Sequence, residues 1–139
     1  MTEENIKKKE YLEQYRKAVR QMERSELRIH EIRMNKMHPS LVIDGLPHGS
    51  AQSDMSSYAA KLEEETQKYL RDRYRRVKLC AEIMNRIEQM DDEDEKDILT
   101  YRYIKLMKWE GKNGICQKMG ISERGAYRLH GQALLHFKI

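Results

Sequence analysis

The stretch Ile115-Cys116-Gln117-Lys118-Met119-Gly120-Ile121-Ser122-Glu123-Arg124-Gly125-Ala126-Tyr127-Arg128-Leu129-His130-Gly131-Gln132-Ala133-Leu134 decides the fold class. It reads as two helices meeting at a sharp turn. Cys116 supplies the small residue that lets two helices approach closely, and Gly120 ends the first helix because glycine adopts the left-handed conformation cheaply. Ile121 plugs the angle between the helices. Ser122 caps the second helix by satisfying an unpaired backbone N–H. From there Ala126, Leu129, Ala133 and Leu134 fall on one face and turn inward, while Arg124, Tyr127 and Arg128 fall on the other. The pattern is that of a helix-turn-helix whose second helix, residues 122–137, offers its polar face to a major groove.

The charge distribution agrees. The 139 residues carry a net charge of +4, but residues 101–139 hold eight Lys and Arg against Glu110 and Glu123, a local +6 that leaves −2 for the first hundred residues. A basic excess on the candidate reading element is what a phosphate-facing surface requires. Charged residues make up 36% of the chain, and the mean hydropathy is −0.92. Only two prolines interrupt it. This composition predicts an all-α protein of long exposed helices rather than a thick core. No apolar run approaches the ~20 residues of a membrane span, and Met1–Glu10 lacks the apolar segment of a signal peptide. A cytoplasmic protein is expected, with Cys80 and Cys116 as free thiols.

Working outward, residues from about Glu3 to Met37 form one helix, with Tyr11, Tyr15, Ala18, Met22, Ser25, Ile29 and Ile32 as a narrow inner stripe. Pro39 stops it. Residues 38–53 form a loop, with Asp44-Gly45 and Pro47 as turn signals. Asp54 is expected to cap a second long helix running to about Met90, whose stripe is Ala59, Leu62, Tyr69 or Leu70, Val77, Cys80 or Ala81, Met84 and Ile87. The two make a helical hairpin, or a coiled coil completed by another subunit.

The acidic run Asp91-Asp92-Glu93-Asp94-Glu95 reads as a helix start, with Asp92 as cap and Glu95 reaching back. A third helix from about Glu93 to Lys108 buries Ile98, Leu99 and Ile104, and Trp109 fills the small core behind the turn. The predicted organisation is therefore residues 1–90 as a coiled-coil-like hairpin and residues 91–139 as a three-helix helix-turn-helix domain.

Other chemistries lack a pattern. His30, His38, His48, Asp44 and Asp54 share no helix face at ligand spacing, so no metal site is expected. No phosphate loop, paired carboxylates or Ser-His-Asp arrangement is present. The chain is expected to be neither an enzyme nor a cofactor binder. Mixed charges on the long helices argue against a membrane surface.

The C-terminal residues resemble a known family. The block Gly120-Ile121-Ser122, Arg124, Ala126, Leu129, Ala133-Leu134, preceded by an acidic helix start and by Tyr103-Ile104 and Trp109-Glu110, resembles region 4 of sigma-70-type factors over about residues 91–137. More narrowly, Asp44-Gly45-Leu46-Pro47-His48-Gly49-Ser50, Tyr58-Ala59-Ala60-Lys61 and Arg124-x-x-Tyr127-Arg128-Leu129-His130-Gly131 are similar to the ArpU/RinA-like late-gene transcriptional regulators of phages. The chain departs from that pattern at Gly111-Lys112-Asn113-Gly114, an apparent flexible insertion, and at Gly125 within the reading helix.

The resemblance implies a DNA-binding transcriptional regulator. Ser122, Arg124, Tyr127 and Arg128 are the expected base-contacting residues, since Arg reads guanine edges. Lys112, Lys118 and Lys138 would hold the phosphate backbone, with Cys116, Gly120, Ile121, Ala126 and Leu129 as the structural frame. The expected partners are double-stranded DNA, a second copy of the chain and RNA polymerase. A small-terminase-like DNA-packaging oligomer and a protein-binding adaptor without DNA affinity are the competing expectations.

Overall fold

A computed structural model describes residues 2–37 and 51–139, apart from the side chains of 36–37 and 51–54. All regular structure among these residues is helical. In chain order it comprises α1 (Glu3–Met37), α2 (Ala51–Glu88), α3 (Glu93–Leu99), a π-helical turn (Thr100–Ile104), α4 (Ile115–Met119) and α5 (Glu123–His136). Neither α1 nor α2 contains glycine or proline, so nothing interrupts them. Helix α1 has the bounds its sequence predicts. Helix α2 already includes residues 51–53 and Asp54, so Asp54 lies inside the helix and does not cap it. The Asp44–Ser50 segment lies outside the described residues.

The described chain divides into two compact units. The first comprises Met1–Lys17 and Arg76–Ile139. In it the first turns of α1 run antiparallel to the last turns of α2 within one chain: Arg86 Nε donates to Tyr11 Oη at 3.0 Å and Arg76 Nε to Tyr15 Oη at 3.4 Å. Leu12, Tyr15, Ile83, Ile87 and Met90 are buried, as are Ile98, Leu99, Tyr103, Ile115, Ala126, Ala133, Leu134 and Phe137. Phe137, the single phenylalanine, closes α5 and packs 6.1 Å from the Tyr11 ring. The second unit, Ala18–Arg75, buries Ala18, Met22 and Ser25 of α1. There the Ser25 hydroxyl donates a short hydrogen bond to the Asp72 carboxylate of α2.

Burial selects between two apolar rows on α2. The expected inner residues Val77, Met84 and Leu70 are exposed, whereas Ile83, outside the predicted stripe, is fully buried beside Ile87. Both rows have helical spacing, and periodicity alone does not say which one meets a neighbour.

The expected helix 93–108 is interrupted. Asp92 caps α3 as predicted, its carboxylate accepting the Glu95 N–H at 3.0 Å. The helix then widens: Lys105 N–H bonds the Thr100 carbonyl five residues back at 2.9 Å. Leu106 takes a positive φ of 56°, a strained conformation for a branched side chain. Arg102 Nη1 donates to the Met107 carbonyl at 3.0 Å and steadies the departing backbone. No glycine or proline in 93–108 marks this break.

Candidate functional site

The helix pair α4 and α5 is built as its turn chemistry predicts. Gly120 sits in the left-handed region, φ 67° and ψ 36°, and its N–H bonds the carbonyls that end α4. Ile121, half-buried, donates its N–H to the Cys116 carbonyl at 3.1 Å. Ser122 is extended, and its Oγ accepts the Gly125 N–H at 3.0 Å. Ala126, Ala133 and Leu134 face the interior with no exposure, and Leu129 is half-buried. Cys116 is also only half-buried; burial and the nearby Glu110 and Glu123 carboxylates raise its thiol pKa.

Gly125 lies at the cap. A Cβ at this position would lie 3.2 Å from Ser122 Oγ. Glycine leaves the hydroxyl room to reach the backbone N–H.

The Gly111–Gly114 segment is not the loose loop its two glycines suggest. Gly111 and Asn113 take positive φ values of 86° and 65°. Gly114 N–H closes on the Gly111 carbonyl at 3.1 Å, and Asn113 N–H donates to Gln117 Oε1 at 2.7 Å. A Cβ on Gly114 would meet the Glu110 carbonyl oxygen at 2.6 Å, so only glycine fits. The turn aims two carbonyls at the start of α4: Lys108 O accepts Ile115 N–H at 2.9 Å and Trp109 O accepts Cys116 N–H at 3.0 Å.

Behind α5 lies an aromatic cluster. Trp109 stands 5.1 Å from the Tyr127 ring and 5.1 Å edge-on from His130, with the Arg102 guanidinium 5.0 Å over its own face. Tyr103 Oη lies 2.6 Å from His130 Nε2. Burial lowers the His130 pKa to about 4 and pushes the Tyr103 phenol well above its ordinary range. Both are therefore neutral at pH 7 and share one hydrogen bond, its donor set by the imidazole tautomer. His130 is thus a core residue, more deeply placed than a half-buried surface histidine.

The far end of α5 is tied down from outside the helix. Lys8 of α1 donates to the carbonyls of Leu134 and Leu135 at 3.0 and 3.1 Å, a cation on a helix C-terminus. Glu95 is buried and does not reach back to its own helix start; both carboxylate oxygens lie within 2.9 Å of His136 Nδ1 on α5. Lys8, Glu95 and Phe137 carry no helix-turn-helix signature. A lysine in register with the apolar stripe of α1 is the one signal that could have pointed to the first of them.

The outward face of α5 presents Arg124, Tyr127 and Arg128 to solvent. Arg124 and Arg128 make no ion pair with other described residues. Ser122 is exposed too, with its oxygen held by the cap. Lys112, Lys118 and Lys138 are all exposed; Lys118 Nζ lies 5.2 Å over the Tyr101 ring, and the Lys138 carbonyl accepts from Arg86 Nη1 at 3.4 Å. One feature opposes an anionic ligand. Glu123, in the first turn of α5, shares a hydrogen bond with Glu110, which raises its pKa.

Among the described residues no helix is long and apolar enough to cross a membrane, and no cluster of three His, Cys, Asp or Glu could hold a metal ion. Searches of protein-family models, curated proteins and solved structures found no match to this chain.

Proposed function

We propose that this chain is a sequence-specific DNA-binding transcriptional regulator of phage or prophage origin, acting in the bacterial cytoplasm, in which α4 and α5 work as a helix-turn-helix. The observation that carries the reading is the two-faced α5. Its buried face is fixed by Ala126, Ala133 and Leu134, and its start is set by the Ser122 cap. Arg124, Tyr127 and Arg128 are left outward on the first two turns, where a recognition helix contacts base edges. The basic excess of residues 101–139 supplies the sequence-independent attraction to phosphate.

In this reading Arg124 and Arg128 read bases, and Tyr127, braced by Trp109, offers a rigid aromatic edge. Lys112, Lys118 and Lys138 hold phosphates. Ser122 acts chiefly as the cap and turns its remaining hydrogen-bonding capacity to the backbone of the DNA. The α1–α2 hairpin serves self-association or contact with RNA polymerase.

The test is selection of sites from random duplex DNA by the full chain, followed by anisotropy titrations on the selected duplex. Enrichment of a defined sequence supports the regulator. Binding that is tight but indifferent to sequence, with a many-subunit ring by light scattering, favours a packaging protein. An absence of DNA affinity at low salt favours a protein-binding adaptor.

A further inference from the structure

A groove of about 630 Å³ separates the first turn of α1 from α5, lined by Thr2, Asn5, Arg128, Gly131, Gln132 and Leu135. All six belong to the first compact unit. Among the described residues no acid lines the groove. The two acids of that turn pair with lysines of their own helix, Glu3 with Lys7 at 3.5 Å and Glu4 with Lys8 at 3.4 Å.

Asn5 is the unexplained residue of this groove. It is only 8% exposed. Its backbone N–H bonds Thr2 Oγ1 at 3.2 Å, but neither end of its side-chain amide bonds another described residue. A buried amide without partners costs stability, and an apolar side chain of the same size would avoid that cost. The missing partner is therefore sought outside the chain, and the surroundings say what it is. The N–H groups of Glu3 and Glu4, ahead of the Thr2 cap, have no acceptor within their helix. The start of a 35-residue helix also favours negative charge. From α5 the exposed Arg128 and Gln132 add further donors. A neutral apolar ligand would leave all of these unmatched; an anion satisfies them.

We propose that this groove holds one phosphate of the DNA backbone, gripped by the Asn5 and Gln132 amides and the positive end of α1. The inference rests on the reading of α5 as a recognition helix. Arg124, Arg128 and Gln132 recur every four residues and so share one side of α5. The two arginines meet bases, and Gln132, one turn further along, meets the backbone beside α1. The Asn5 amide donates through Nδ2 to a phosphate oxygen. Such a contact positions the reading helix and carries no sequence information of its own.

The test uses the full chain, the duplex selected from random DNA and a scrambled duplex. Asn5→Leu keeps the side chain's size and removes its amide. It should melt no lower than the wild type, yet bind both duplexes about tenfold more weakly, the loss of one hydrogen bond to a charged group. Gln132→Ala should likewise weaken both duplexes by a common factor. A neutral methylphosphonate is then placed at each phosphate of the selected duplex in turn. At one position it should cost the wild type about the same tenfold and cost Asn5→Leu nothing, because the contact is already gone. Unchanged binding by Asn5→Leu, a loss confined to the selected duplex, a lower melting temperature, or a scan that affects both proteins equally overturns the phosphate site and leaves the recognition helix standing. A wild type that binds neither duplex at low salt overturns both.

Discussion

Tyr103 Oη and His130 Nε2 share a hydrogen bond of 2.6 Å, and the two residues are only 3% and 5% exposed. This buried polar pair joins the π-helical turn after α3 to the middle of α5. It fixes the depth at which α5 sits and therefore which of its residues face outward.

The pair makes stability depend on pH. His130 titrates at about 4 when folded, against about 6.5 in an unfolded chain. The unfolded chain thus binds the proton first as pH falls. The contribution is complete above about pH 6.5 and is lost progressively down to about pH 4, at most about 3 kcal/mol in all. Urea unfolding at pH 7 and pH 4.5 should show the wild type losing more stability than His130→Gln. Parallel losses in the two proteins, or an imidazole NMR titration midpoint near 6.5, contradict the assignment.

Two glycines should respond oppositely to alanine. Gly114→Ala drives a Cβ to 2.6 Å from the Glu110 carbonyl oxygen and should cost about 1–3 kcal/mol. Gly131→Ala, in the body of α5, meets nothing within 4 Å and should stabilise by about 0.5–1 kcal/mol. Melting temperatures that move in the same direction would count against the packing described for the 111–114 turn.

Lys8→Met keeps the length of the side chain and removes its charge. The Leu134 and Leu135 carbonyls then lose their donor at the end of α5. A loss of about 1–2 kcal/mol is expected, read by denaturant unfolding, together with faster amide exchange in the last turn of α5. Unchanged exchange there would mean that Lys8 does not hold that end.

Much of this architecture was legible from the residues. Gly120, Ser122 and Asp92 each announce a local backbone need, and the structure meets each need at that residue. The bounds of α1 follow from an unbroken run without glycine or proline. What was not legible depends on neighbours distant in sequence. The choice of Ile83 over Val77 and Met84 as the inner row is made by the opposing helix. Glu95 could have bonded its own helix start, but His136, 41 residues away, takes its carboxylate. The π-helical turn has no breaker residue to announce it. Of Arg124, Tyr127 and Arg128, proposed to face DNA, the sequence supplied the identities and the structure their exposure.

The acidic pair at the start of α5 should weaken DNA binding. Glu110→Gln with Glu123→Gln removes the negative charge of this carboxyl pair beside the proposed phosphate path. In anisotropy titrations the affinity should rise severalfold at low salt, with the same preferred sequence. Weaker binding would show that one of these acids serves the interface, for instance by accepting from a cytosine amino group.

The central claim, that the outward face of α5 reads DNA, is tested most directly by the affinity of Arg124→Ala and Arg128→Ala for a selected duplex and for a scrambled one, measured across a salt series. The account predicts that each variant loses about 1–3 kcal/mol on the selected duplex and much less on the scrambled one. It also predicts that wild-type affinity falls with salt at a log–log slope of about −0.9 per phosphate contact. Variants that bind the selected duplex as tightly and as selectively as the wild type would contradict it.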